Sequence, residues 1–422
     1  MTCSTKPHSS PRFVLALLLA VNLLNYIDRQ VLYAVFPLIK ADLGLSDTAL
    51  GFLGSSFMLC YMVSAPFFGW LGDNWSRVRL AAAGLGIWSL ATAAAGIAPG
   101  YRSLLAARTC VGVGEASFGT VSPGLLADFF PRERRGRILA YFYLAIPVGS
   151  ALGYLFGGVV GQHFGWHAAF LLVGIPGLFL TLPVMMLRET PPGRGTFPEK
   201  AAEGRPAGGY ASLITNRSFV TNTLAMAAMT FALGGLAQWL PTFLFRIHGL
   251  DVARGNTLFG AITVVAGITG TLAGGWLGDR AQARSARGYL TVSGWGFLIG
   301  TPVAATAILT PSLPVSLCAM FFAEFFLFLN TGPLNTVIVN VTQPTIRAMA
   351  FAVNIFFIHA MGDAVSPTLL GWLSDRWGLR PALLVTPVAI VIAAGFCFLC
   401  SRWVAGDMAK VDGSGQDATA NT

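Results

Sequence analysis

The sequence predicts an all-α membrane protein: twelve transmembrane helices in two six-helix halves related by pseudo-two-fold symmetry. Three observations predict it. First, of 422 residues 55% are hydrophobic and only 11% charged, against roughly 25% charged in a soluble domain. Second, twelve apolar stretches recur along the chain, each long enough for the roughly 20 residues that cross a bilayer as a helix. Third, a short motif returns about half a chain later, the mark of an internal duplication.

Taken in order, the apolar spans are 13–36, 50–71, 79–98, 103–126, 138–160, 166–187, 218–240, 257–278, 289–309, 313–340, 349–373 and 381–403. Connections between them are short, with one exception. The segment 188–217 is polar and rich in Gly and Pro, so it reads as a linker between the half at 13–187 and the half at 218–403. Residues 1–12 and 404–422 form polar ends. The first hydrophobic run is too long for a signal peptide and has no small-residue cleavage site after it, so it is expected to stay as the first span.

Basic residues test this topology. With both ends cytoplasmic, 19 Lys and Arg fall inside and six outside, at Lys40, Arg102, Arg246, Arg254, Arg376 and Arg380. That is the asymmetry of the positive-inside rule. The net charge of +9 therefore reports orientation against an anionic leaflet, and nucleic acid is excluded as a partner. Cys397-x-x-Cys400 has redox spacing, but it lies in an apolar helix and reads as packing. No metal or cofactor site is apparent. An enzyme reading fails for want of a nucleophile–base pair or phosphate loop, and Gly112-x-Gly114 follows no strand and is no dinucleotide fingerprint.

The repeat carries more. Span two ends in Gly69-Trp70-Leu71-Gly72-Asp73-Asn74, and span eight ends in Gly275-Trp276-Leu277-Gly278-Asp279-Arg280, 206 residues later. Gly371-Trp372-Leu373-Ser374-Asp375-Arg376 closes span eleven, and Gly157-Gly158 with Gly165-Trp166 follows span five. Four three-helix units result, two per half. The Gly-x-Leu-Gly-Asp segments resemble the signature of the major facilitator superfamily. Asn25-Tyr26-Ile27-Asp28-Arg29, Val111-Gly112-Val113-Gly114-Glu115-Ala116-Ser117, Ala145-Ile146-Pro147-Val148-Gly149-Ser150 and Gly362-Asp363-Ala364-Val365-Ser366-Pro367 are similar to its Spinster branch. That resemblance covers about 12–405. It implies a secondary active transporter working by alternating access, proton-coupled, for an anionic amphiphile such as a lysophospholipid or a sphingolipid-like molecule. The short loops are those of a bacterial member, and so imply an inner (cell) membrane.

Charges inside the spans supply the candidate site. Span four, Ser103–Leu126, carries Arg108 and Glu115, and a charge near a helix centre costs at least about 2.5–3.5 kcal/mol unless it meets a polar partner. Seven residues put the two on one face but about 10.5 Å apart along the axis, too far for a direct pair. Each needs a partner elsewhere. By axial rise, Asp28 in span one and Arg108 both lie about 8 Å below the outer surface, so they can meet. Glu115 and Glu324 fall near the midplane at nearly equivalent places in the two halves. The resemblance implies that spans one, four, seven and ten line the central cavity, which places all of these groups there.

Glu115 is the expected proton carrier, with Asp28 and Glu324 also assigned to proton coupling. Burial favours the neutral acid and a nearby arginine the carboxylate, so the state of the cavity can set its charge. Arg108 and Arg29 are expected to hold an anionic head group, where a guanidinium fits phosphate or carboxylate bidentately. Arg29, about 100° from Asp28 around the helix, points away from the cavity on this count. The plain alternative is a static network that only ties spans one and four together. Asp363 reads equally as packing or gating.

Asp73 with Arg77, and by repeat Asp279 and Arg280, are expected to gate the cytoplasmic side, with Arg284 or Arg287 as partners for Asp279. Asp375 is predicted outside and is not read the same way. Phe118, Phe142, Phe231, Trp239 and the Phe321–Phe328 cluster read chiefly as packing. Two further readings stay open: transport of a small organic anion of the sugar-acid or aromatic-acid type, and a membrane receptor or assembly subunit without transport. The expected partners are the substrate, protons and membrane lipids, and the expected state is a monomer.

Overall fold

The computed structural model describes residues 10–130, 132–187, 209–343 and 346–411. In the N-terminal half the helices are α1 (Pro11–Ala34), α2 (Phe36–Leu43), α3 (Asp47–Asn74), α4 (Arg77–Ala95), α5 (Tyr101–Asp128), α6 (Arg132–Tyr143), α7 (Ala145–Phe164) and α8 (Trp166–Met185). A short α9 (Gly209–Thr215) ends the linker, most of which lies outside the described residues. Then come α10 (Arg217–His248), α11 (Val252–Gln282), α12 (Gly288–Leu309), α13 (Leu313–Leu329), α14 (Thr331–Val341) and α15 (Arg347–Ile358). A π-helical turn at His359–Asp363 leads to α16 (Ser366–Trp377), α17 (Leu379–Leu383) and α18 (Val385–Cys400).

Side-chain caps set several starts. Ser10, Ser76 and Asn216 each accept from the backbone N–H three residues on, heading α1, α4 and α10. Prolines set the internal breaks. The interruptions at Val35, Leu144, Asn330 and Leu384 each lie two or three residues before a proline, at Pro37, Pro147, Pro333 and Pro387. A proline has no N–H to give to the carbonyl four residues back, so the helix loosens there. Pro147 thus marks the α6–α7 boundary; α6 begins at Arg132, but the membrane-length apolar stretch runs Arg137–Phe164, beside the start at 138 expected for span five.

Among the described residues, eleven helices are long and apolar enough to cross a membrane, α6–α7, α13–α14, the α15–α16 stretch and α17–α18 each counting as one. The expected twelfth is α5, whose 28 residues suffice in length. Arg108 and Glu115 lower its mean hydropathy, so apolarity alone does not single it out. Large apolar side chains such as Val63, Leu90, Phe179 and Leu272 stand exposed, each above 60%, as lipid-facing surface does.

The chain folds into two compact units: Met1–Leu45 with Ser56–Ala201 and Asp251–Gly260, and Ser46–Ser55 with Ala202–Leu250 and Ala261–Thr422. In the first, α4 packs between α5 and α8, and α1 lies along α7. The glycine ladder Gly149, Gly153 and Gly157 makes the α1–α7 approach possible, because a Cβ there would press on Leu23, Ile27 and Val31 backbone. In the second, α12 packs between α13 and α18, the same scheme. The duplication also shows in the backbone. Every positive-φ residue described is a glycine, and they pair as Gly44 with Gly249 and Gly165 with Gly378, 205 and 213 residues apart. Each ends a helix in a conformation that costs a side chain energy.

Candidate functional site

Asp28 and Arg29 are neighbours on α1 whose side chains diverge to two partners on α5. Arg108 Nη1 donates to Asp28 Oδ1 at 2.9 Å, and both side chains are buried to within 1%. The other Asp28 oxygen accepts from the Thr92 hydroxyl of α4. Three helices therefore meet at one carboxylate. The pairing of Asp28 with Arg108 is the one the axial count predicts.

Arg29 differs from its expectation. Its Nε donates to Glu115 Oε2 at 2.7 Å, and its side chain is 17% exposed while that of Glu115 is fully buried. The guanidinium carbon also lies 5.1, 5.2 and 5.0 Å from the ring centroids of Tyr26, Phe57 and Tyr61, within the range of cation–π attraction. Arg108 shares Phe57 at 5.3 Å. The unit thus holds two acids and two arginines in alternating pairs around one phenylalanine, and Arg29 is the cation with surface to offer. Arg108 Nε and Nη2 and Glu115 Oε1 are buried without a hydrogen-bond partner among the described residues. Buried polar atoms are rarely left unpaired in this way.

Glu324 stands apart. It is 3% exposed, Oε1 accepts from Thr263 Oγ1 at 3.2 Å, and Oε2 has no hydrogen-bond partner among the described residues. Among those residues it forms no ion pair, so it has no counterpart to the arginine that serves Glu115. Asp363 pairs with His359 at 2.8 Å across the π-turn, a histidine the sequence reading passed over. The turn contains Gly362 in a non-helical conformation, five residues ahead of Pro367.

The expected gating residues are placed as follows. The Asp73 side chain lies outside the described residues. Arg77 Nε donates to the Gly72 carbonyl at 3.3 Å. Asp279 accepts from the Tyr289 hydroxyl at 2.7 Å, in place of the Arg284 or Arg287 contact expected. Arg280 sits over the Trp276 ring, 5.7 Å from its centroid. Phe118 packs edge-on against Trp88 and beside Phe142, and Trp239 Nε1 donates to the Pro367 carbonyl. Both are packing roles. Cys397 and Cys400 are buried free thiols.

Comparison with known proteins now fits onto this geometry. Residues 18–367 match the Major Facilitator Superfamily. Over 384 residues the chain is 35% identical to Protein spinster homolog 1 of Homo sapiens, covering 86% of this chain and 73% of that one. The chain belongs to the Spinster family of the Major Facilitator Superfamily. It is also 31% identical over 430 residues to the sphingosine-1-phosphate transporter SPNS2 of Mus musculus, covering 94% and 78% of the two chains. A crystal structure of a bacterial homolog of the human lysosomal transporter Spinster, inward-facing and unoccupied, superposes with a TM-score of 0.86 at 26% identity over 94% of this chain and 98% of that one. The protein is a multi-pass integral membrane transporter of this fold. Acids and arginines between apolar helices are costly to place unless they are paired.

Proposed function

We propose that the protein carries an anionic, lipid-like amphiphile across the membrane by alternating access, coupled to protons through Glu115. The observation that carries this reading is the Arg29 site: a part-exposed guanidinium, three aromatic rings within about 5 Å of it, and a buried carboxylate as its only ion-pair partner among the described residues. A phosphate or carboxylate head group matches the guanidinium, and an apolar tail matches the rings. The amphiphile reading is supported by the similarity to a sphingosine-1-phosphate transporter.

Glu115 and a substrate anion compete for the same cation. When Glu115 takes a proton, Arg29 loses its counter-ion and is free to hold the head group. By linkage, proton and anion then favour each other's binding. Asp28 keeps Arg108 oriented and, by exchanging partners, passes the protonation of Glu115 on to release. Arg108 offers its unpartnered Nε and Nη2 edge to the head group once the surrounding helices part. Glu324 is a second proton site: an ionised carboxylate there would be buried with no ion-pair partner among the described residues, which is costly. Asp73, Arg77, Asp279 and Arg280 open and close the cytoplasmic ends of the halves 13–187 and 218–403. The protein works as a monomer in a bacterial inner membrane with both ends cytoplasmic, which the Lys and Arg asymmetry supports.

The test is a substrate panel in proteoliposomes: lysophospholipids, sphingoid phosphates, and sugar or aromatic acids, for wild type and Arg29→Gln. Flux of a lipid-like anion that falls at least tenfold in Arg29→Gln supports the reading. Flux of small acids alone would replace the amphiphile with a small organic anion.

A further inference from the structure

We infer that the protein holds one anionic phospholipid of the bilayer in a groove between α4 and α8, its phosphate on Arg79 and an acyl chain along the groove. The groove lies wholly within the first unit and shares no residue with the Arg29–Glu115 cluster. The lipid is a resident of the bilayer, not the cargo. The orientation proposed above assigns it to the cytoplasmic leaflet; the site itself depends neither on that orientation nor on transport.

The groove is a cavity of about 540 Å3, within the roughly 300–1,000 Å3 of small-molecule sites. It is open to hydrocarbon: Ile87, Leu90 and Met185 in its wall are 47%, 62% and 60% exposed. Its middle is kept apolar. The Thr181 hydroxyl donates back to the Gly177 carbonyl of its own helix at 3.1 Å, and the Thr181 methyl faces Gly86, 3.5 Å from where a Cβ would stand. Chemistry changes at one end. Arg79 joins the wall there and is exposed. Its backbone N–H donates to the Ser76 hydroxyl that caps α4, while its guanidinium has no ion pair or hydrogen bond among the described residues. Trp75, 49% exposed, is in the wall too, and tryptophan favours the headgroup level.

Length decides the ligand. From Arg79 to Leu90 the helix rises about 16.5 Å, close to the roughly 15 Å of hydrocarbon in one leaflet. A cation at the headgroup layer, with one leaflet's depth of apolar wall beyond it, is the complement of a phospholipid. The guanidinium takes phosphate bidentately, and the wall takes a chain out of contact with water. A second groove, about 510 Å3 between α12 and α13, is lined by residues such as Val303, Thr306, Cys318 and Phe322 and by no charged side chain. It offers an acyl chain a wall but an anionic head group nothing. Thr92, the donor to Asp28, lies two residues past Leu90 and nine past Ala83, about 160–180° around α4 from the groove. A lipid in the groove therefore braces α4 from the side opposite Asp28.

The test needs no transported substrate. Full-length protein in detergent is titrated with phosphatidylglycerol or with phosphatidylcholine of the same acyl chains, and native mass spectrometry gives the dissociation constant of the first lipid bound. Wild type is compared with Arg79→Gln, with Gly86→Leu, which fills the groove without touching its charge, and with Thr306→Leu in the uncharged groove. Wild type should bind phosphatidylglycerol about fivefold more tightly than phosphatidylcholine, the weight of one basic residue at an anionic head group. Arg79→Gln should lose that preference and keep its affinity for phosphatidylcholine. Gly86→Leu should weaken the first binding of both lipids about tenfold, and Thr306→Leu should leave the preference as in wild type. Equal binding of the two lipids by wild type, or an unchanged preference in Arg79→Gln, overturns the site. So does wild-type affinity in Gly86→Leu, or a preference lost in Thr306→Leu. If Gly86→Leu does not fold, Arg79→Gln and Thr306→Leu decide the matter.

Discussion

Replacing Arg108 with Gln strands the Asp28 carboxylate between helices with Thr92 as its one remaining hydrogen-bond partner among the described residues. The geometry allows the cost to be bounded. Charge centres about 4 Å apart attract by about 4 kcal/mol at an effective dielectric of 20, and both side chains are buried to within 1%, so solvent screening takes little of it. Removing one partner of such a pair costs about 3–5 kcal/mol, most of it from the charge left behind. Asp28→Asn should cost a similar amount by stranding Arg108. In Asp28→Asn/Arg108→Gln neither charge remains, and the cost should fall below the sum of the single costs by about 3–4 kcal/mol. Reversible unfolding in mixed detergent and SDS micelles, run as a double-mutant cycle, gives the coupling directly. Single costs under about 1 kcal/mol that simply add would refute the claim that this pair ties α1 to α5.

Thr92→Val removes the hydroxyl donor to Asp28 and should cost about 1–3 kcal/mol in the same unfolding assay, while Thr92→Ser should recover most of it. Arg29→Lys keeps a charge but loses the flat guanidinium that lies between the rings and binds bidentately; substrate affinity should fall about tenfold, read as the half-saturating concentration for flux. At the end of the chain, burial works to raise the Asp407 carboxyl, but hydrogen bonds from Lys410 and Ser218 outweigh it and hold the group below the usual carboxylate range. Its contribution is therefore complete above the ordinary aspartate value and is lost as pH falls through the lowered one. Protease nicking near 404–411 should increase on acidification through that range, and Asp407→Asn should show the acid behaviour already at neutral pH.

Much of this arrangement was legible in the sequence, because the lipid environment leaves few choices for apolar spans and for the charges inside them. The depth match of Asp28 and Arg108 followed from rise per residue alone. Arg29 was misplaced for a definable reason. The count of about 100° around α1 from Asp28 locates Cα atoms, whereas helical side chains are long and lean toward the N-terminus of their own helix. With α1 and α5 running in opposite directions, the Arg29 and Glu115 side chains lean toward each other, which closes a gap of more than one turn. Thr92 carried no signal, since a hydroxyl in an apolar span is commonplace. His359 did sit four residues before Asp363, a spacing that brings side chains together on a helix. The larger miss was the network in which Arg246 pairs with Asp47 and Asp375 accepts from the Asp47 N–H: the three come from distant segments, and only the fold brings them together.

The central claim is that Glu115 carries the proton that frees Arg29. Its most direct test is substrate-triggered proton flux into proteoliposomes with an imposed pH gradient and a lumenal pH dye, comparing wild type with Glu115→Gln. The account predicts proton movement with wild type on adding the substrate anion and none with Glu115→Gln, while Glu115→Gln still binds the anion because Arg29 is released. Proton-linked transport that persists in Glu115→Gln with the same pH dependence would contradict it, and would move the proton to Asp28 or Glu324.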